Sequence, residues 1–410
     1  MDEKRRNKQT LTIVFLTVFL DLVGFGIVLP LMPVYASLPA FAATSLQIGF
    51  LMASYSLMQF FFAPIWGRLS DQIGRKPILV LGLFGSAIAH FVYGLAESLT
   101  LLFIARLFAG IAGANIATAQ AVIADVLPPE KRAAGMGMIG AAFGLGFVIG
   151  PALGGFLSGE TFGNNHQLAP FCAAILCLLN AIAAIFLLQE TRQTSSKRWG
   201  SPLNAASWKT ALAQPGVPLI LLLGFILITG FAAFEIALPL YGKHAYGWSL
   251  TNIGYVFAYI GILITIVQGG MVRKLVPRYG ETRMILVGFV LLISALVIMA
   301  LDVSSTFLLI ALIPMTMGFG LLSPSLSSLL SRITHQDHQG TVLGLYQSMN
   351  SLGRVAGPTM GGFFFAVSTS GLHGPTVPFA ISAGLLSIAF FMAFILYNTH
   401  QQLNQGESPS

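Results

Sequence analysis

Twelve apolar runs of about twenty residues or more recur along this chain, near 11–35, 46–66, 77–95, 99–126, 135–158, 168–189, 216–241, 251–272, 283–301, 306–331, 341–367 and 376–397. A hydrocarbon layer about 30 Å thick is crossed by a helix of roughly 20 apolar residues, whereas a spanning strand needs only about ten residues of alternating pattern. Runs of this length predict helices, because lipid leaves every backbone N–H and C=O to be satisfied within its own segment. The expected fold class is therefore an all-α integral membrane protein. Its composition agrees, with 55% hydrophobic and 9% charged residues, an excess that no water-soluble core of this length requires.

The few charges are unevenly placed. Twelve crossings put both termini on one side, and eighteen of the 21 basic residues fall in the tails and loops of that side. Lys243 lies in an opposite loop, and Arg106 and Arg354 lie within spans. The positive-inside rule predicts cytoplasmic termini, and the compact loops point to a multi-pass protein of the plasma (inner) membrane. The net charge of +7 is then topological, and no nucleic-acid partner is expected. The first run has no small-residue cleavage site and is expected to stay in the mature protein. Cys172 and Cys177 share one span, which indicates neither a disulfide framework nor a metal motif. "GMGMIG" (135–140) fits a dinucleotide fingerprint in letters but has no βαβ context, and "HQDH" (335–338) reads as a solvated connection. No H-E-x-x-H, G-x-S-x-G or P-loop pattern is present, so no enzyme activity, cofactor or metal is expected.

The longest hydrophilic stretch, 190–214, divides the chain into six-span halves, 1–189 and 215–410. "GFVIGPALGG" (146–155) recurs as "GRVAGPTMGG" (353–362), and "GIVLPLMPVY" (26–35) is echoed by "EIALPLYGKH" (235–244). Equivalent positions match, as two parallel repeats about an axis along the membrane normal require. The expected architecture is two pseudo-symmetric six-helix bundles. A looser echo joins "GRLSDQIGRKP" (67–77) to "VRKLVPRYGET" (272–282), with Gly280 at the place of Gly74 and Pro277 at that of Asp71.

Three groups of residues carry the candidate chemistry. Asp21, Arg106 and Glu235 lie well inside spans, where a charge costs about 2.5–3.5 kcal/mol on insertion scales. A carboxyl avoids that cost by taking up a proton, which makes Asp21 and Glu235 candidate proton carriers, modulated by Arg106; a fixed structural pairing of Asp21 with Arg106 is the alternative. Tyr55, Gln59, Asn115, Gln120, Gln347, Asn350 and Arg354 are candidate cavity residues in the second, fourth and eleventh spans, or bonds between helices. In the fifth span Gly146, Gly150 and Gly154 repeat at four-residue spacing, which lets helices approach closely. With Pro151 and Gly155 they form a candidate hinge or seal, with simple packing as the alternative.

In "GRLSDQIGRKP", Gly67 and Gly74 allow a tight turn and close approach. Asp71 is placed to accept amide hydrogen bonds or face a helix N-terminus, and Arg75 is free to pair with Asp125, which closes the fourth span. The missing acid at 277 makes this latch one-sided.

Taken together, twelve spans in two halves, "GRLSDQIGRKP", Arg106 and "GPALGG" resemble the major facilitator superfamily. "DLVGFGIVLPLMP" (21–33) and "QGGMVRKLVPRYGETR" (268–283) resemble its twelve-span drug/proton antiporters of the tetracycline-exporter type. The resemblance implies that Gly67, Asp71, Gly74, Arg75 and Asp125 hold a cytoplasmic gate shut in the outward-open state, and it associates the glycine-rich fifth span with antiport. It also implies proton-coupled export of amphipathic small molecules, with protons, a small-molecule substrate and membrane lipid as partners, by a monomer. The pattern's acids in the third and ninth spans are absent here, where the third has Ala89 and His90. A specific metabolite, organic-anion or siderophore transporter is the second reading. A receptor is a weaker one, given the short loops and tails.

Overall fold

The computed structural model describes residues 3–113, 115–127, 129–163, 165–191, 212–334, 339–369 and 374–405. Most of the expected linker, 192–211, and the HQDH stretch lie outside them. The described residues form helices and short turns, with no strand. In chain order the spans are Glu3–Val28 (followed by the short helix Met32–Ala36), Ser45–Ile73, Arg75–Gly94, the broken pair Leu99–Ala112 and Asn115–Val126, Pro129–Leu157, Leu168–Leu187, Val217–Tyr246, Leu250–Ile266 with its continuation to Tyr279, Glu281–Ala300, Ser305–Ile333, Gln339–Thr369 and Val377–Gln405. Nine of the described helices are long and apolar enough to cross a bilayer unaided. The fourth, fifth and eleventh places in the order are helical too, the fourth as two pieces and the fifth with an apolar part at 141–157.

Local chemistry sets several boundaries. A capping box starts the second span: the Gln47 amide donates to Thr44 Oγ1 at 3.3 Å while the Thr44 amide donates to Gln47 Oε1 at 2.8 Å, satisfying donors that a helix N-terminus leaves orphaned. Ser98 caps the fourth span by accepting from the Leu101 amide at 3.3 Å. Gly74, at φ +111°, makes the turn between the second and third spans, a conformation that disfavours any side chain. Gly67, expected to share in that turn, instead lies two turns earlier inside the helix, and a Cβ there would meet nothing within 4 Å.

The chain forms two compact units, Met1–Ser195 with Pro239–Ile262, and Ser196–Leu238 with Leu263–Ser410. In the first, spans 1 and 5 pack together, as do spans 3 and 6, around a core that includes Val18, Leu22, Leu83, Val122, Ile123 and Ala181. In the second, span 9 packs on spans 10 and 12. Large apolar side chains point outward as well, Phe186 being 80% and Leu301 71% exposed. Such exposure is costly in water and ordinary against lipid.

Each unit contains a seam where two backbones touch. A Cβ on Gly150 would lie 2.7 Å from the Cα of Gly26, and one on Gly146 would lie 2.8 Å from the Cβ of Leu22. The repeat reproduces this in the second unit, where a Cβ on Gly357 would lie 2.8 Å from that of Ala232, and one on Gly361 would lie 2.8 Å from the carbonyl oxygen of Ala233. The glycine stripe of the fifth span thus faces the first span. Gly155 points elsewhere, toward the start of the eighth span within the same unit, where the Thr251 hydroxyl donates to its carbonyl at 3.0 Å. Pro151 lies inside this helix, which continues past it to Leu157.

Two glycines therefore behave oppositely. Gly150→Ala is expected to lose about 1–3 kcal/mol through overpacking, whereas Gly67→Ala is neutral or stabilising by up to about 1 kcal/mol from helix propensity. Thermal unfolding of the purified variants in detergent reads both.

Candidate functional site

The interior of the first unit is built around Arg106. The fourth span breaks at Gly113, and the Gln59 amide bridges that break, donating to the Gly113 carbonyl and to the Tyr55 hydroxyl, both at 3.0 Å. Tyr55 is thereby held with its ring 4.6 Å from the Arg106 guanidinium carbon and 5.0 Å from the Phe25 ring. Arg106 is 3% exposed, and among the described residues its Nε and Nη2 have no hydrogen-bond acceptor. A cation over an aromatic face gains about 0.5–2 kcal/mol, less than the cost of burying an unpaired charge. His90 and Tyr93 of the third span lie within electrostatic range of the guanidinium.

Asp21 is held apart from this arginine. The Ser86 side chain of the third span lies near its carboxylate, and among the described residues Asp21 and Arg106 form no ion pair. The fixed Asp21–Arg106 pairing weighed from sequence is thus absent.

In the second unit the Arg354 guanidinium lies within electrostatic range of the Glu235 carboxylate. Gly353, one residue before Arg354, packs on the Ile228 side chain, so the seam between spans 7 and 11 positions this pair. One turn from Glu235, Phe231 stacks on Phe319 with centroids 3.7 Å apart. Among the described residues Asn350 Oδ1 is buried without a partner, while Gln347 and Gln120 are exposed. The side chains of Asn115 and Asp71 lie outside those described.

The loop-side charges form two ion pairs of opposite polarity. Arg75 Nε sits 2.9 Å from Asp125 Oδ2, and its Nη1 donates to Ser70 Oγ at 2.7 Å. At the matching places of the second half, Glu281 Oε2 lies 2.6 Å from Arg332 Nη1 and its Oε1 accepts from Ser328 at 3.1 Å. The expected one-sidedness thus holds only for residue 277, since the second half carries an ion pair with its signs exchanged.

The two pairs differ in strength for a physical reason. Helix dipoles favour anions at N-termini and cations at C-termini. Glu281 opens its helix and Arg332 nearly closes its own, so both are favoured. Arg75 opens a helix and Asp125 nearly closes one, so both are opposed. Glu190 offsets the first mismatch: its carboxylate accepts the Arg75 amide at 2.9 Å and the Lys76 amide at 3.2 Å.

Comparison with known proteins agrees with this architecture. The profile described as Major Facilitator Superfamily matches residues 14–358 and, overlapping it, 275–410. The chain belongs to the major facilitator superfamily. This superfamily member is similar to the class C tetracycline resistance protein of Escherichia coli, 32% identical over 375 residues that cover 90% of this chain and 93% of that one. It is 28% identical to Multidrug resistance protein 2 of Bacillus subtilis (strain 168), over 92% of this chain and 93% of the relative. Among solved structures it is similar to the human organic anion transporter MFSD10, with a TM-score of 0.70 at 25% identity over 94% of this chain and 99% of that one.

Within this superfamily member, sequence reasoning missed Ser86, Glu190 and the Glu281–Arg332 pair. Glu190 carried a usable signal, an acid ending the sixth span on the side of the basic loops. The second pair was concealed by its reversed charges, although Glu281 obeys the repeat spacing that relates Gly74 to Gly280 and Arg332 lies one residue beyond the counterpart of Asp125.

Removing the capping charge should be measurable. Glu190→Gln is expected to lower stability by about 0.5–2 kcal/mol, because the amide keeps the shape of the cap and loses its charge. Thermal unfolding of the purified protein checks this, and the loss should shrink at high salt.

Proposed function

We propose that this chain is a proton-coupled secondary transporter that exports amphipathic small molecules from the cytoplasm by alternating access. It acts as a monomer in the plasma (inner) membrane, with both termini cytoplasmic. The observation that carries this reading is its likeness, over nine-tenths of the chain, to tetracycline and multidrug resistance proteins. The interior chemistry supports it. Asp21 in one unit and Glu235 in the other are carboxyls inside apolar spans, each within reach of a polar or charged side chain of a different span.

A ligand shifts such a protein between states only by binding them with different affinity. In this mechanism proton uptake at Asp21 or Glu235 supplies one such difference, by weakening the hold of Ser86 or Arg354. Arg106 and the aromatic rings of Tyr55 and Phe25 supply the other, by taking up the substrate. Gly67, Asp71, Gly74, Arg75 and Asp125 act as the cytoplasmic gate, and the dipole-opposed Arg75–Asp125 pair is the contact that breaks as it opens. Gly146, Gly150, Pro151, Gly154 and Gly155 carry the motion between packed helices.

A second reading, transport of organic anions, is favoured by the two Arg106 nitrogens without acceptors and by the likeness to an organic anion transporter. A carboxylate or sulfonate on the substrate would satisfy them.

Vesicles containing the purified protein and an imposed pH gradient separate these ideas. Asp21→Asn and Glu235→Gln are expected to reduce gradient-driven flux of amphipathic dyes at least tenfold while sparing substrate exchange without a gradient. Undiminished gradient-driven flux in both variants would remove the two acids from coupling. With Arg106→Gln, selective loss of anionic dye flux supports the anion reading, and equal loss of cationic and anionic dyes counts against it.

A further inference from the structure

The second copy of the loop motif has a use that the gate does not account for. Along the repeat, Gly67 becomes Arg273, Arg68 becomes Lys274, Gln72 becomes Arg278 and Pro77 becomes Arg283, while the acid at 71 becomes Pro277. The first copy carries three cations and one acid and the second four cations and one acid, with three of those four, Arg273, Lys274 and Arg278, gathered before the turn at Gly280.

Their placement is specific. The eighth span runs as one helical segment of 30 residues, Leu250–Tyr279, about 45 Å long at 1.5 Å per residue. Hydrocarbon accounts for about 30 Å of a bilayer and the headgroup layers bring it to about 40–45 Å. The last turns, Val272–Tyr279, therefore reach the headgroup layer. They join the span through the π-helical segment Val267–Met271, where Cβ atoms on Gly269 and Gly270 would meet nothing within 4 Å.

The terminal helix has two faces. Val272, Leu275 and Val276 pack against the cluster of Val267, Met284 and Leu321. Arg273, Lys274 and Arg278 are exposed. Tyr279, also exposed, lies 5.4 Å from the Arg278 guanidinium, in the manner of aromatic side chains at membrane interfaces. Glu281, the nearby acid, is held by Arg332 and Ser328, and among the described residues none of the three cations forms an ion pair. Long basic side chains rising from an apolar surface place their charges among headgroups.

We propose that the face formed by Arg273, Lys274 and Arg278 is a binding surface for anionic phospholipid headgroups, which hold this end of the eighth span in the cytoplasmic leaflet. The partner is lipid rather than free phosphate, because the cations stand at headgroup depth on a helix whose opposite face is fixed in the protein. Lipid charge then acts on the segment beyond the Gly269–Gly270 turn, a site separate from the transport residues.

Native mass spectrometry of the full-length protein, titrated with phosphatidylglycerol or phosphatidylcholine, tests this without depending on transport. The wild type is expected to hold phosphatidylglycerol about tenfold or more tightly than phosphatidylcholine. Excess inorganic phosphate should leave that preference intact, R273Q/K274Q/R278Q should lose it, and R273K/R278K should keep it. Retention of the preference by the triple variant, or displacement by inorganic phosphate, would overturn the proposal. If the triple variant does not fold, the wild type alone decides, since equal affinity for the two lipids also overturns it.

Discussion

Backbone contact along two glycine seams is the constraint on which the rest of this structure depends. Lipid offers no hydrophobic gain for bringing helices together, so association rests on close van der Waals packing. Gly150 against Gly26 and Gly357 against Ala232 provide it, once in each unit. The seams also fix the functional groups. Asp21 precedes Leu22, which touches Gly146, and Arg354 follows Gly353, which touches Ile228. A shift of one helical turn at either seam would separate the acids from their present partners.

The same low dielectric explains how the charges are distributed. Among the interior carboxyls, Asp21 lies near the Ser86 side chain and Glu235 within electrostatic range of Arg354. Arg106 faces an aromatic ring, and among the described residues two of its nitrogens have no acceptor. Near the basic loops, where water and salt screen charges, pairs are cheaper to form and to break. There the dipole-opposed Arg75–Asp125 pair, propped by Glu190, contrasts with the dipole-favoured Glu281–Arg332 pair. The two halves thus carry ion pairs of unlike dipole setting although their helices share one plan.

Much of this was readable from residue order. Run length announced the spans because the bilayer fixes how far a helix must reach. The repeated "GP..GG" segments announced the internal symmetry, and the acid at 125 was recognisable as a partner for Arg75 because both end their spans on the basic side. Ser86 was not recognisable, since a lone serine in an apolar helix carries no sign of the direction it faces. Nor was the role of Gly67, which looked like part of a turn and lies in open space within a helix.

The sequence by itself determined the all-helical membrane class, the repeated motifs and the identity of the rare interior charges, because these follow from local hydropathy and from matching letters. Only tertiary structure decided that Asp21 lies near Ser86, that Glu235 lies within electrostatic range of Arg354, and that the fifth span shows glycine to two different neighbours. Those outcomes depend on the rotation and register of helices far apart in the chain. Rotation and register are settled by which surfaces can approach within a few ångströms, a property of pairs of helices that neither helix carries alone.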